Sequence, residues 1–147
     1  MMLREILMLV AVSTSPSPSD DGAVADASRM ANTFADCAGV WDWVSAAELA
    51  NERPASSKQA KQTAEGAHFA AMWLASHAYH LDNPEQRKPY GAFKAMFEGR
   101  REASYTGMMA MLERGDQAGL VQRVSACSAL LEAQEEMIND VRKTFVE

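Results

Sequence analysis

Residues 60–78 read AKQTAEGAHFAAMWLASHA, a sequence that predicts an α-helix. Small or apolar residues recur every three or four positions and form one stripe along an α-helix: Ala60, Ala64, Ala67, Ala71, Leu74 and Ala78. A stripe made mostly of alanine allows a neighbouring helix to approach closely. The remaining sequence is rich in good helix formers and has few β-branched residues, so we expect helices and no strands.

Breaks on either side of this helix divide the chain into four helical segments. Short loops between long amphipathic helices favour antiparallel neighbours, so we predict an all-α, up-down-up-down four-helix bundle. Prolines, capping residues and Gly115 set the boundaries. The expected segments are about 23–52, 56–81, 89–114 and 116–145. A single turn at 84–88, with Asn83 as its N-cap, is expected to precede the third segment.

The two cysteines of the chain, Cys37 and Cys127, lie on the apolar stripes of the first and last segments. In a simple bundle these segments are antiparallel neighbours, and both cysteines fall near the middle of their helices. We therefore predict a disulfide that closes a loop of about 90 residues and contributes about 4–5 kcal/mol in the chain-entropy model. The alternative is two separate buried thiols that pack as small apolar side chains.

The N-terminal residues favour export. Arg4 precedes an apolar run at 6–12, residues 13–22 read STSPSPSDDG and should be a non-helical linker, and Ala25-Asp26-Ala27 fits signal-peptide cleavage. We assign 1–27 to a signal peptide or disordered segment and 28–147 to the bundle, and expect a periplasmic or secreted protein. No later run is long enough for a transmembrane helix, so we expect no stable membrane insertion after processing. The alternative is a cytosolic protein with a disordered tail.

Charge and motifs narrow the class of function. The 147 residues carry a net charge of −6, so we expect no nucleic-acid partner. No nucleophile elbow, phosphate-binding loop or dinucleotide-binding glycine motif is present. We assign no catalytic residue, expect no cofactor, and favour a binding protein over an enzyme.

Trp43 is the candidate for partner binding. Trp41 lies on the apolar stripe of the first segment, and two residues along a helix is about 200° around its axis. If Trp41 is in the core, Trp43 is peripheral, and an exposed tryptophan often anchors a protein interface. Packing of Trp43 against a neighbouring helix is the alternative.

The three histidines suggest a ligand or metal site, because they cluster in the second segment. Glu65-x-x-His68 has the spacing of half a di-iron carboxylate site, but the second half of that motif is missing. His68 could also bind haem together with a methionine of the third segment. His77 and His80 are one turn apart and could bind a transition metal, although solvated histidines at a helix C-terminus are the simpler interpretation.

Polar residues at stripe positions are the last candidates. Arg100 and Ser104 interrupt the apolar face of the third segment, and Gln134 interrupts that of the fourth. A buried Arg100 could pair with a core carboxylate or bind an anionic ligand. The alternative is an arginine whose charged end reaches solvent.

Together these observations predict a small exported helical protein that acts by binding an envelope protein, as an inhibitor, an immunity factor or an accessory protein. The alternatives are a bundle that binds a ligand, a metal or haem, and a periplasmic chaperone.

Overall fold

The computed structural model describes residues 18–146, and their side chains over 22–144. Its elements are α1 (Pro18–Ala50), α2 (Pro54–Asp82), a 3-10 helix (Tyr90–Phe93), α3 (Lys94–Glu113), α4 (Gln117–Ser128) and α5 (Leu131–Val146). No strand occurs among the described residues. The all-α class is therefore confirmed, and the fourth predicted segment corresponds to α4 and α5 together.

The N-terminal prediction is tested only in part. The apolar run at 6–12 lies outside the described residues, and cleavage after Ala27 stays a prediction. Residues 18–22 belong to α1, so the expectation of a non-helical linker is wrong for these positions. A helix tolerates proline in its first turn, because the N–H that proline lacks would have no partner there.

α1 and α2 form an antiparallel hairpin around a three-residue turn. Ser45 and Ser57 each donate a side-chain hydrogen bond to the other's backbone carbonyl, at 2.9 and 2.8 Å. Nearer the middle of the hairpin, Lys61 Nζ lies 2.9 Å from Asp42 Oδ1. The six predicted stripe residues of α2 are all buried. The alanine stripe is therefore confirmed as the surface that packs in the core.

α3 lies against α1 at an unusually close crossing. A Cβ atom built on Gly39 would overlap the backbone carbonyl oxygen of Arg101 and would lie 2.7 Å from Cβ of Ser104. Ser104 donates a hydrogen bond of 2.6 Å to the carbonyl oxygen of Asp36. Ser104 therefore interrupts the apolar face of α3 because it lies at the crossing, where a small side chain fits and its hydroxyl finds a partner.

The connection between α2 and α3 differs from the prediction. Asn83 ends α2 instead of starting a new helix, since its backbone and side-chain N–H groups donate to the carbonyl of Tyr79 at 2.8 and 3.1 Å. A single hydrogen-bonded turn follows at 84–85, where the N–H of Gln86 donates to the carbonyl of Asn83 at 2.9 Å, but residues 86–88 are not helical. Pro89 is extended, with ψ 150°, and the chain becomes helical again only at Tyr90.

The start of the fourth segment is confirmed. Gly115 has a positive φ of 72°, a conformation that glycine adopts without a steric cost. The Asp116 carboxylate accepts a hydrogen bond of 2.9 Å from the N–H of Gly119 and so caps α4.

The predicted disulfide is present, with Cys37 and Cys127 joined at a Cα–Cα distance of 5.5 Å. The fourth segment is not one helix, however, because Leu130 donates to the carbonyl of Cys127 three residues earlier and the chain turns there. The turn directs α4 against α1 and α5 against α2, where Gln134 Nε2 donates to the carbonyl of Thr63 at 3.2 Å. These contacts are compatible with up-down-up-down topology.

Between residues 18 and 146, none of the helices combines the length and apolar character that crossing a membrane requires.

Candidate functional site

A groove around Trp43 is an open and mostly apolar surface. It has a volume of about 530 Å³ and lies between α1, the end of α3 and α4. None of its lining residues is charged. They are Trp43, Leu112, Gln117, Leu120, Val121, Val124 and Ser125.

The floor of this Trp43 groove rests on the core. Trp41 is buried in the core cluster that contains the disulfide, and Trp43 packs against the same cluster from outside. The 200° separation of the two tryptophans thus places them as predicted, with Trp41 inside and Trp43 partly exposed. Because Cys127 is bonded to Cys37, the two main walls of the groove, α1 and α4, are covalently linked.

The rim of the Trp43 groove is exposed. Leu112 is 51% exposed and Val121 is 65% exposed. Single exposed apolar residues are common on proteins, but here two flank a tryptophan on one surface. These rim residues escaped sequence analysis, because neither one belongs to the apolar stripe of its own helix.

A charged cluster joins α1, α2 and α3 on another face. The Arg101 guanidinium donates two hydrogen bonds to the Asp42 carboxylate, at 2.6 and 2.8 Å, and a third of 2.8 Å to Glu65. Lys61 also donates to Asp42, at 2.9 Å. The side chains of Arg101 and Asp42 are only 13% and 16% exposed, so their pairing is shielded from water.

The pairing changes the acidity of both carboxyl groups. Burial acts to raise the pKa of Asp42, but the hydrogen bonds from Arg101 and Lys61 outweigh it and hold the pKa below its ordinary value. The hydrogen bond from Arg101 likewise lowers the pKa of Glu65. The same pairing raises the pKa of Arg101. Asp42, Glu65 and Arg101 are therefore charged at neutral pH and form an ion-paired crosslink between the three helices.

His68 is the second unusual polar group. It is only 5% exposed, and neither ring nitrogen has a hydrogen-bond partner among the described residues. Burial lowers the pKa of the imidazole, and the positive charge of Arg101 acts in the same direction. His68 is therefore a neutral, buried imidazole at neutral pH.

Of the predicted pair of Glu65 and His68, the Glu65 carboxylate accepts a hydrogen bond from Arg101, and the two side chains do not hydrogen-bond to each other. His77 stacks on Trp73, with ring centroids 5.4 Å apart, and His80 Nδ1 lies 3.4 Å from the carbonyl oxygen of Gln86. In the described part of the chain, no three His, Cys, Asp or Glu side chains are grouped so that they could hold a metal ion.

Arg100 and Gln134 are not brought together. Arg100 binds Asp36 of α1 at 2.8 Å, with both side chains more than 40% exposed. Gln134 is buried and contacts α2 instead. The shielded arginine is the neighbouring Arg101, which the sequence analysis did not single out.

No known protein-family model matches this chain, and neither a curated protein nor a solved structure is significantly similar to it.

Proposed function

We propose that this chain is an exported helical protein that acts without catalysis, by binding another protein in the Trp43 groove. The type of role is that of an inhibitor, an immunity factor or an envelope accessory protein. The observation that supports the proposal is an uncharged groove with a tryptophan on its floor and exposed Leu112 and Val121 on its rim.

The shape of the groove favours a helical segment of the partner. Its walls are helices, and an amphipathic helix places apolar residues along such a groove at positions i, i+3 or i+4, and i+7. Trp43 has the features of an interface anchor, since it is large, partly exposed and supported from below by the core. The partner helix should be apolar on the buried face, because the groove offers no charged group.

Export is supported by the disulfide. Disulfides persist in oxidising compartments such as the periplasm or the extracellular space and are rare in the cytosol. Intact mass measurement of the protein from its native host tests this part of the proposal. We expect a chain shortened at its N-terminus with both cysteines resistant to alkylation without reductant, and a full-length chain with two free thiols would contradict export.

Binding in the groove is tested by photo-crosslinking in an envelope fraction. A photoreactive amino acid at Val121 should crosslink to one partner through an apolar helical segment. The same amino acid at Leu49 is the control, because Leu49 is 62% exposed but lies outside the groove.

The isolated partner segment then allows a quantitative test. Val121→Arg should weaken its binding about tenfold or more by placing a charge in an apolar interface, while Leu49→Arg should have no effect. Equal labelling at both positions, or equal binding by both variants, would contradict the proposal. A stoichiometric metal or haem in native mass spectrometry would favour the ligand-binding alternative instead.

A further inference from the structure

A second groove lies at the other side of α2, and it is basic and aromatic. It has a volume of about 470 Å³, within the size range of small-molecule sites, and lies between α2, the 84–89 connection and the end of α5. The lining contains no Asp or Glu, although the chain as a whole carries a net charge of −6. It consists of Trp73, Ser76, His77, His80, Arg87, Lys88, Pro89, Tyr90 and Thr144.

The aromatic side chains of this basic groove are held by contacts with other aromatic rings and with the core. The rings of Trp73 and His77 are nearly parallel, at 6°, and Trp73 also packs against the core. Tyr90 is 41% exposed and is held edge-on by Phe69, with ring centroids 5.3 Å apart. A planar ring entering the groove would therefore meet aromatic faces that are already in place.

The connection that carries the positive charge is also anchored. Ser76 donates a hydrogen bond of 2.6 Å to the carbonyl oxygen of Lys88, and Tyr79 donates one of 2.9 Å to the side-chain oxygen of Gln86. Both donors come from α2. The 84–89 connection is thus held against the helix on each side of Arg87.

Arg87 is the cation available to a ligand. The Lys88 ammonium lies 5.1 Å from the centre of the Tyr79 ring, so its charge is already engaged in a cation–π contact. By contrast, the Arg87 guanidinium forms no salt bridge with any residue in the described part of the chain. A guanidinium binds carboxylate, sulfonate or phosphate oxygens with paired hydrogen bonds.

We propose that the basic groove binds a planar aromatic anion, which packs against the stacked rings of His77 and Trp73 and accepts hydrogen bonds from Arg87. The ring of the ligand contacts the aromatic side chains of the groove, and its acid group binds the Arg87 guanidinium. This site is separate from the Trp43 groove and does not depend on the proposed protein partner, since different helices form it.

Titration of the purified protein with naphthalene-2-sulfonate tests the proposal. The indole N–H resonances of the three tryptophans distinguish the sites, and Trp73→Phe assigns the resonance of interest. We expect a saturable shift of the Trp73 resonance, with those of Trp41 and Trp43 unchanged. The neutral analogue 2-naphthalenemethanol should bind about tenfold more weakly, because it lacks the charge that Arg87 recognises.

Arg87→Gln supplies the decisive variant, because this exposed side chain can be changed without disturbing the core. It should weaken naphthalene-2-sulfonate about tenfold and leave the neutral analogue unaffected. Arg123→Gln removes the same charge from an exposed position on α4 and should change neither affinity. The proposal is overturned by the absence of saturable binding, by equal affinity for the two probes, or by equal weakening in both variants.

Discussion

α3 and α4 both pack against α1, but by different means. α4 is joined to α1 by the Cys37–Cys127 disulfide and by apolar side chains around it. α3 is held by the close crossing at Gly39 and by the ion pairs of Arg101 and Arg100. The α1–α4 contact therefore depends on the redox state of the compartment, whereas the α1–α3 contact depends on steric fit and on pH.

Removing the disulfide should have the largest effect on stability. We expect Cys37→Ala/Cys127→Ala to lower the free energy of unfolding by about 4–5 kcal/mol, because the unfolded chain is then free of a 90-residue loop. Urea denaturation with and without reductant measures the effect. Reductant should destabilise the native protein and leave the double variant unchanged, and an unaltered midpoint in the variant would contradict the assigned role of the disulfide.

A methyl group at Gly39 tests the α3 side of the comparison. Gly39→Ala should lower the free energy of unfolding by about 2–3 kcal/mol, because the added carbon collides with the backbone of α3. Gly99→Ala is the matched control, since its helical position has no atom within 4 Å of the added carbon. Thermal unfolding should show the control unchanged or stabilised by up to about 1 kcal/mol, and equal destabilisation by both variants would argue against the close crossing.

The shielded Arg101–Asp42 pair should contribute more to the free energy of unfolding than the exposed Arg100–Asp36 pair. Asp42→Asn should lower the free energy of unfolding by about 2 kcal/mol at neutral pH, because it removes the carboxylate that accepts two hydrogen bonds from the shielded Arg101. Asp36→Asn breaks the solvent-exposed pair with Arg100 and should cost about 0.5 kcal/mol. Equal losses in urea denaturation would mean that burial does not distinguish the two pairs.

His68→Leu should have a smaller effect on stability than Asp42→Asn, opposite in sign and with a distinct pH dependence. His68→Leu should stabilise the protein by about 1 kcal/mol at about pH 8, since it removes buried nitrogens that have no partner among the described residues. Burial holds the folded-state pKa of His68 below its ordinary value of 6.5. The unfolded chain therefore binds the proton more strongly, and the stability of the native protein falls as the pH drops below about 6.5.

His68→Leu lacks this titration, so the difference in stability between this variant and the native protein should grow as the pH falls from about 6.5 to about 5. The pKa values of Asp42 and Glu65 lie below their ordinary values of 3.8 and 4.5, so their stabilising contribution is lost only at lower pH. A constant difference between native and variant protein across this range would show that His68 does not titrate on unfolding.

The α1–α4 and α1–α3 contacts also show what could be predicted from the sequence. Cys37 and Cys127 could be paired because each lies on the apolar stripe of its helix, and the two helices are expected to be neighbours. The division between α4 and α5 could not be predicted, since residues 128–131 contain neither proline nor glycine. The two helices have different packing partners, since α4 contacts α1 through Cys127 and α5 contacts α2 through Gln134.

The choice between Arg100 and Arg101 shows a similar limit. The two positions differ by about 100° around the helix, and periodicity alone pointed to Arg100. The close approach at Gly39 fixes how α3 is rotated, and that rotation directs Arg101 towards Asp42. The basic groove was only partly foreseen, because His77 and His80 were recognised while Arg87 and Tyr90 join them only through the fold.

The disulfide has a further consequence for how the chain could be cut. It closes a covalent ring that contains the second half of α1, all of α2 and α3, and nearly all of α4. A protease that cleaves the turn at 51–53 or the connection at 84–89 would leave two fragments that stay joined until a reductant separates them. A cut at Ala129 lies beyond Cys127, so α5 would then keep its place only through non-covalent contacts such as that of Gln134 with Thr63.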